Sequence, residues 1–249
     1  MGSMISGIYE LAGIRIEICS DYDEVHELLA AYRSEGPADM GVSVSPEELE
    51  AEIKTAVAYD RRRAVMWSRG YVESVLMYRK IGEQLPDHGA FIFHSSAIAV
   101  EGWAYLFTAK SGTGKSTHTR LWRQWLGDRA VMINDDKPIL RLEEEGGVTV
   151  YGTPYDGKHH ISNQIAVPLK AICLLERDAE NRIERIRPGE YVPQLLEQIY
   201  RPKNPLQLAK TMQLLDETVK RVPLYRLFCN KEPEAARVSY EGMQAADGV

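Results

Sequence analysis

The chain opens with two runs of alternating apolar and polar residues, Ile5–Leu11 and Ile14–Ile18, separated by Ala12-Gly13, which is the period and the turn of a β-hairpin. Asp21–Leu29 shifts to helical spacing, and Arg33–Ser45, rich in Gly, Pro and Ser, reads as a loop. Ser45-Pro46-Glu47-Glu48 supplies an N-cap, a proline at the first helical position and early acids, which predicts a helix reaching about Tyr59. A further amphipathic helix is expected over Tyr71–Leu85, stopped by Pro86, with Tyr71, Val75, Tyr78 and Leu85 as its packing residues. From Ala90 the pattern changes to short apolar runs near Phe91, Ala104, Val131, Val148 and Ala171, each suited to a buried strand. The tail predicts helices near Tyr191–Tyr200 and Leu206–Lys220, a strand over Leu224–Phe228 and a last helix from Pro233. The pattern therefore divides the chain into a small N-terminal α+β region, 1–89, and an α/β core, 90–249, whose C-terminal part is helical. It shows no internal repeat and no low-complexity segment.

Composition narrows the class. With 249 residues the chain can bury a substantial core, as one large domain or as a core with a smaller lobe. Its 30 basic and 36 acidic residues are interspersed and sum to −6, which argues against a nucleic-acid partner; the one basic cluster, Arg61-Arg62-Arg63, reads as a solvated helix end. Cys19, Cys173 and Cys229 are odd in number and widely spaced, which points to a reducing cytoplasm and away from a disulfide frame or a zinc knuckle. No run approaches the apolar length of a membrane span, and no signal peptide is expected. Met1-Gly2-Ser3-Met4-Ile5-Ser6 fits a myristoylation pattern nominally but reads better as an appended leader. A cytoplasmic protein without membrane partners is the expectation, and self-association is compatible with it.

The chemistry concentrates at Thr108–Thr117, Thr-Ala-Lys-Ser-Gly-Thr-Gly-Lys-Ser-Thr, between the apolar strand Trp103–Phe107 and a helical stretch from Thr117. A glycine-rich loop at a strand-to-helix junction is a phosphate cradle: Gly112 and Gly114 permit positive φ and close approach of backbone N–H groups, and the helix start adds its positive dipole end. Ser111, Gly112, Thr113, Gly114, Lys115, Ser116 and Thr117 are the expected nucleotide-binding residues. Lys115, expected to stand exposed in the empty loop, would neutralise the β- and γ-phosphates, and the Ser116 hydroxyl would ligate Mg²⁺. The match to G-x-x-x-x-G-K-[ST] lacks its first glycine, since that position is Ala109. The bland alternative is a chance Gly-Lys-Ser in a surface turn.

A second signal follows. Val131-Met132-Ile133 is a short strand-like run, and Asn134-Asp135-Asp136 places two carboxylates at its end. Adjacent residues on a strand end point to opposite sides, so one aspartate can hold Mg²⁺ while the other faces an acceptor hydroxyl. Alone, Asn-Asp-Asp would be read as a turn.

Together with His94-Ser95-Ser96-Ala97-Ile98 and Gly102, the order and spacing of Ser111–Ser116 and Asp135-Asp136 is similar to the HPr kinase/phosphorylase core, within the PEP carboxykinase-like phosphate-loop fold. The likeness covers about Phe91–Leu175. The nearer resemblance is to uncharacterised bacterial HPr-kinase-like proteins with His-Ser-Ser-Ala, Ser-Gly-Thr-Gly-Lys-Ser-Thr, Asn-Asp-Asp-Lys-Pro and Gly-Thr-Pro blocks. The resemblance implies a core of β-rich mixed sheets with flanking helices, ATP and Mg²⁺ held at Lys115 and Ser116, and the roles of metal ligand and base carried jointly by Asp135 and Asp136. It also sets His94 where that kinase keeps a histidine near the site, against the alternative of a satisfied histidine between two strands. No counterpart of the kinase's later glycine-rich signature is present, which argues against HPr as acceptor. PEP carboxykinase activity is not expected either, because the arginine and the lysine–histidine set of that enzyme are missing.

The remaining polar clusters are weaker. Lys158-His159-His160 follows Gly157 in a loop, where it is either substrate contact or surface, and adjacent histidines are poor joint ligands for zinc. Arg177, Arg182, Arg185 and Arg187 alternate with acids and read as a solvated face. The resulting expectation is an ATP-dependent phosphotransferase acting on a hydroxyl of a peptide, protein or small metabolite. Its rivals are a nucleotide-binding accessory protein and an ATPase switch.

Overall fold

The computed structural model describes residues 5–59 and 67–244; the Arg61–Arg63 triplet and most of the Met1–Ser6 pattern lie outside them. Two compact units divide the chain, Met1–His88 and Gly89–Val249.

In the first unit, β1 (Ile5–Leu11) and β2 (Ile14–Ser20) form the hairpin, with Ala12 and Gly13 both at positive φ in the turn. The stretch read as a loop contains a third strand, β3 (Met40–Ser43), paired in parallel with β2 through Ile16↔Met40 and Ile18↔Val42. Among the described residues, three α-helices accompany this sheet: α1 (Asp23–Leu28), α2 (Pro46–Tyr59) and α3 (Arg69–Gln84). A reciprocal capping box starts α2, the Glu48 N–H donating to Ser45 Oγ at 3.3 Å and the Ser45 N–H donating to Glu48 Oε2 at 2.8 Å. The buried face of α3 carries Val72, Met77, Tyr78 and Ile81 and runs on to Leu85, whereas Tyr71, expected to pack inward, is exposed and Val75 only half-buried.

Among its described residues, the second unit is a nine-stranded mixed sheet in the order β4-β8-β9-β10-β6-β5-β7, with β12 beside β10 and β11 beside β12. The strands are β4 (Ala90–Ile92), β5 (Ser96–Val100), β6 (Trp103–Thr108), β7 (Ala130–Asn134), β8 (Ile139–Leu142), β9 (Val148–Tyr151), β10 (Ala166–Arg177), β11 (Arg182–Ile186) and β12 (Leu224–Cys229). The long β10 joins two halves. Its start pairs antiparallel with β9, and its remainder lies parallel to β6 on one side and β12 on the other.

Helices cover both faces, which is why β6 and β10 read as nearly unbroken apolar runs. Leu106, Ile172 and Leu174 face one core with Leu195 of α5 (Pro188–Leu196) and Leu215 and Val219 of α6 (Pro205–Arg221). Tyr105, Phe107 and Cys173 face the other, with Leu121 and Trp122 of α4 (Lys115–Leu126) and Ala235, Ala236 and Met243 of α7 (Glu234–Gln244). The buried positions Lys115, His118, Thr119, Trp122 and Leu126 follow helical spacing, and this stripe docks α4 on the sheet directly after β6. No helix among the described residues is long and apolar enough to cross a membrane.

Candidate active site

The order of strands around β6 sets the site. The loop Ala109–Gly114 leaves the end of β6 and enters α4 at Lys115, with Gly112 at φ +81° and Gly114 at φ +131°. An L side chain at Gly114 would be strained, so glycine there is a backbone requirement. The first intrahelical bond is His118 N–H to the Gly114 carbonyl, 2.9 Å, which leaves the Lys115, Ser116 and Thr117 amides at the helix start without an i−4 partner. Ser116 and Thr117 are half-buried beside them. Backbone amides left in this way at a helix N-terminus are donors to which an anion can bind.

Lys115 departs from expectation. Rather than standing exposed in the loop, it is 9% exposed, and its ammonium donates to the Ala109 carbonyl at 3.1 Å. Burial pushes its pKa down, while the carboxylates of Asp136 and Asp135 push it back up. Two acids two strands away from the loop thus act on the loop lysine, because β5 pairs with both β6 and β7 and brings the ends of β6 and β7 to one edge.

The two aspartates diverge at the end of β7. Asp135 is nearly buried, and its Oδ1 accepts from Ser96 Oγ at 2.6 Å. Ser96 in turn lies 2.9 Å from Thr119 Oγ1 on α4, so one hydroxyl relay ties this carboxylate to the loop helix. Asp136 turns the other way. His94 Nε2 lies 3.3 Å from its Oδ1, and Lys137 Nζ makes a close ion pair with its Oδ2. Burial raises the Asp136 carboxyl, but the His94 hydrogen bond and the Lys137 charge outweigh it and bring the pKa down to about 2. The turn that separates the carboxylates is built by Asn134: its Oδ1 accepts the Asp136 and Lys137 amides at 2.8 and 2.7 Å, and its Nδ2 donates to the Thr153 carbonyl at 2.9 Å. Asn-Asp-Asp is therefore a turn and an acid pair at once.

His94 sits in the link between β4 and β5. Its amide donates to the Gln198 carbonyl at 2.7 Å, its carbonyl accepts from Thr108 Oγ1 at 3.0 Å, and its ring is 34% exposed beside Asp136.

The Tyr151–Asn163 segment closes over the same edge. A Cβ at Gly157 would stand 2.9 Å from Asp136 Cβ, so the loop approaches that aspartate through a residue without a side chain. The nearly buried Asp156, which the sequence did not single out, accepts from Ser162 Oγ at 2.8 Å and lies 3.5 Å from His160 Nδ1. Lys158, His159 and His160 are exposed. Among the described residues no group of three or more His, Cys, Asp or Glu side chains is arranged to hold a metal ion. A metal here would rest on Ser116 and the aspartates together with phosphate oxygens.

Arg177 is exposed, as the reading of its arginine cluster as a solvated face expected, and it also reaches the phosphate loop. At the end of β10 its Nε donates to the Thr113 carbonyl at 3.0 Å, and its Nη2 makes a close bond to the Gly112 carbonyl. It thereby ties the end of β10 to two successive carbonyls of the loop. No local sequence signal marks this role, since it depends on β10 lying beside β6. Arg182 does keep to the surface, paired with Asp178 and stacked 3.7 Å over the Phe228 ring.

No family model matches the sequence, and no curated protein matches it. Among solved structures the chain is similar to the Hpr(Ser) kinase/phosphatase from Coxiella burnetii, at 11% identity over 63% of this chain and 94% of that one, with a TM-score of 0.35. So distant a likeness carries no argument about function.

Proposed function

We propose that the chain is an ATP-dependent phosphotransferase that phosphorylates a hydroxyl, either a serine of a peptide or protein or an alcohol of a small metabolite. The observation that carries the reading is the buried Lys115 of a glycine-rich loop lying within the field of two carboxylates, Asp135 and Asp136, that follow β7, two strands away. Binding a nucleotide needs the loop; an adjacent acid pair adds to phosphate binding only by holding a metal or by accepting a proton.

Bound Mg·ATP supplies the transferable phosphoryl group and part of the charge neutralisation. The Lys115, Ser116 and Thr117 amides would bind phosphate oxygens, and Lys115 would exchange its bond to the Ala109 carbonyl for one to phosphate. Ser116 and one aspartate hold the metal. The other aspartate orients the acceptor hydroxyl and takes its proton; Asp136, with its pKa about 2, stays charged at neutral pH in either role. Such transfer asks mainly for positioning and charge stabilisation, so a weak base in place suffices.

The test pairs calorimetry with γ-phosphate transfer to a panel of peptides and metabolites, using ATP hydrolysis as the fallback readout. Lys115→Ala should lose Mg·ATP binding. Asp135→Asn and Asp136→Asn should keep most of it and lose turnover by about 10²–10⁴-fold. Of the two, the variant rescued by excess Mg²⁺ identifies the metal ligand. Binding with no turnover at all would leave an accessory nucleotide-binding protein, and hydrolysis without transfer an ATPase.

A further inference from the structure

Both oxygens of Asp136 are engaged. His94 Nε2 lies 3.3 Å from Oδ1, and the Lys137 ammonium makes a close ion pair with Oδ2. An ion pair between chain neighbours is ordinarily a solvated surface feature. Lys137 is held differently: its amide donates to Asn134 Oδ1 at 2.7 Å, and its carbonyl accepts from Thr153 Oγ1 at 3.1 Å. Asn134 and Thr153 are both fully buried, so two core side chains fix the backbone from which this half-exposed ammonium extends.

The charge of this ammonium is also felt in the phosphate loop. Beyond burial, which lowers the Lys115 pKa, the charges acting on Lys115 are those of Asp136 and Asp135, which raise it, and that of Lys137, which lowers it as a like charge does. Two lysines, one from the loop and one from the turn after β7, therefore share one acid pair. Arg177, the cation reaching the loop from β10, is spent on the Gly112 and Thr113 carbonyls.

We infer that Lys137 is a catalytic residue, the second cation on the phosphoryl group as it is transferred, an inference that rests on the phosphotransferase reading above. Without nucleotide, Lys137 neutralises Asp136. A terminal phosphate carries up to two charges against the carboxylate's one, so a phosphate held by Lys115 draws Lys137 off Oδ2. Two consequences follow from that exchange. The acceptor oxygen bonds to the γ-phosphorus as the β–γ bridge bond breaks, the hydroxyl proton passing to an aspartate and ADP leaving with the electron pair; the charge on the three equatorial oxygens then meets two ammonium groups in place of one. Asp136 Oδ2 is meanwhile uncovered beside the Gly157 turn, where a Cβ would stand 3.3 Å from it, and becomes available to a hydroxyl proton or a metal.

Calorimetry on the whole chain compares Mg·ADP with the Mg complex of the β,γ-imido analogue of ATP, which carries the terminal phosphate and is not turned over. Lys137→Met keeps an unbranched side chain and removes its charge. It should weaken the analogue at least ~10-fold, the loss of one charge-assisted bond, and leave ADP affinity unchanged. A lysine that serves only to neutralise Asp136 gives a different pattern, in which the two ligands are weakened alike or neither is. That pattern in a Lys137→Met shown by circular dichroism to be folded overturns the role of Lys137 and leaves the phosphate-loop reading standing. If Lys137→Met does not fold, amine-selective labelling of wild type followed by mass spectrometry decides: the analogue, but not ADP, should protect Lys137, and equal labelling in the presence of either overturns the assignment. Wild type that binds neither ligand overturns the phosphate-loop reading itself.

Discussion

Replacing Asp136 with Asn should destabilise the second unit by an amount that depends on pH in a defined window. The carboxyl falls from an ordinary 3.8 to about 2 on folding, despite burial, because His94 and Lys137 both face it. At ~1.4 kcal/mol per pH unit, that fall is worth about 2.5 kcal/mol once the group is ionised in both states. A group whose folded pKa is depressed contributes its stability above the unfolded pKa and loses it as pH falls through the folded one. The difference between wild type and Asp136→Asn should therefore be full at neutral pH, begin to shrink near pH 4 and be nearly gone at about pH 2. Urea unfolding followed by tryptophan fluorescence reads it, since Trp103, Trp122 and Trp125 all lie in the second unit. Subtracting the variant's stability at each pH removes the titration of other carboxyls. A difference below ~0.5 kcal/mol at neutral pH, or one that stays flat down to about pH 2.5, would refute the reasoning and class the cluster with ordinary surface ion pairs.

Two further outcomes concern residues around the loop. Arg177→Ala should weaken Mg·ATP binding about 10-fold with little change in the unfolding midpoint, because the side chain is exposed and holds only the loop carbonyls; Arg177→Lys should restore part of the affinity, a point charge replacing a fork. Lys158→Ala should raise the acceptor KM or lower kcat while ATP affinity, measured by calorimetry, stays unchanged, since the Gly157 turn approaches Asp136 rather than the phosphate loop; a loss of ATP affinity would move this segment to the nucleotide side.

Where an element carried its own signal, the sequence was sufficient. The hairpin, the capped α2 and the strand–loop–helix around Thr108–Thr117 are each fixed by local period, turn and cap. Elements that exist through a distant partner were not legible. β3 is four residues long, amid Gly, Pro and Ser, and its Met40 and Val42 become an inward face only once β2 lies beside them. β11 hides in the charged stretch after Arg177 because it is held by β12 on one side and carries its charges toward solvent, as edge strands do. The buried stripe of α3 is obscured by Gly70, Glu73 and Ser74, which are buried although they are not apolar. Gly70 is there because a Cβ would collide with Glu24.

The candidate site divides along the same line. Its loop and its acid pair are contiguous motifs, and a reader of the chain meets them whole. What joins them is not contiguous: Ser96 relays Asp135 to Thr119 across β5, and Arg177 reaches the loop from β10. The buried state of Lys115 has the same origin, for a side chain that local pattern places in an open loop is covered once neighbouring strands bring Asp135 and Asp136 to it.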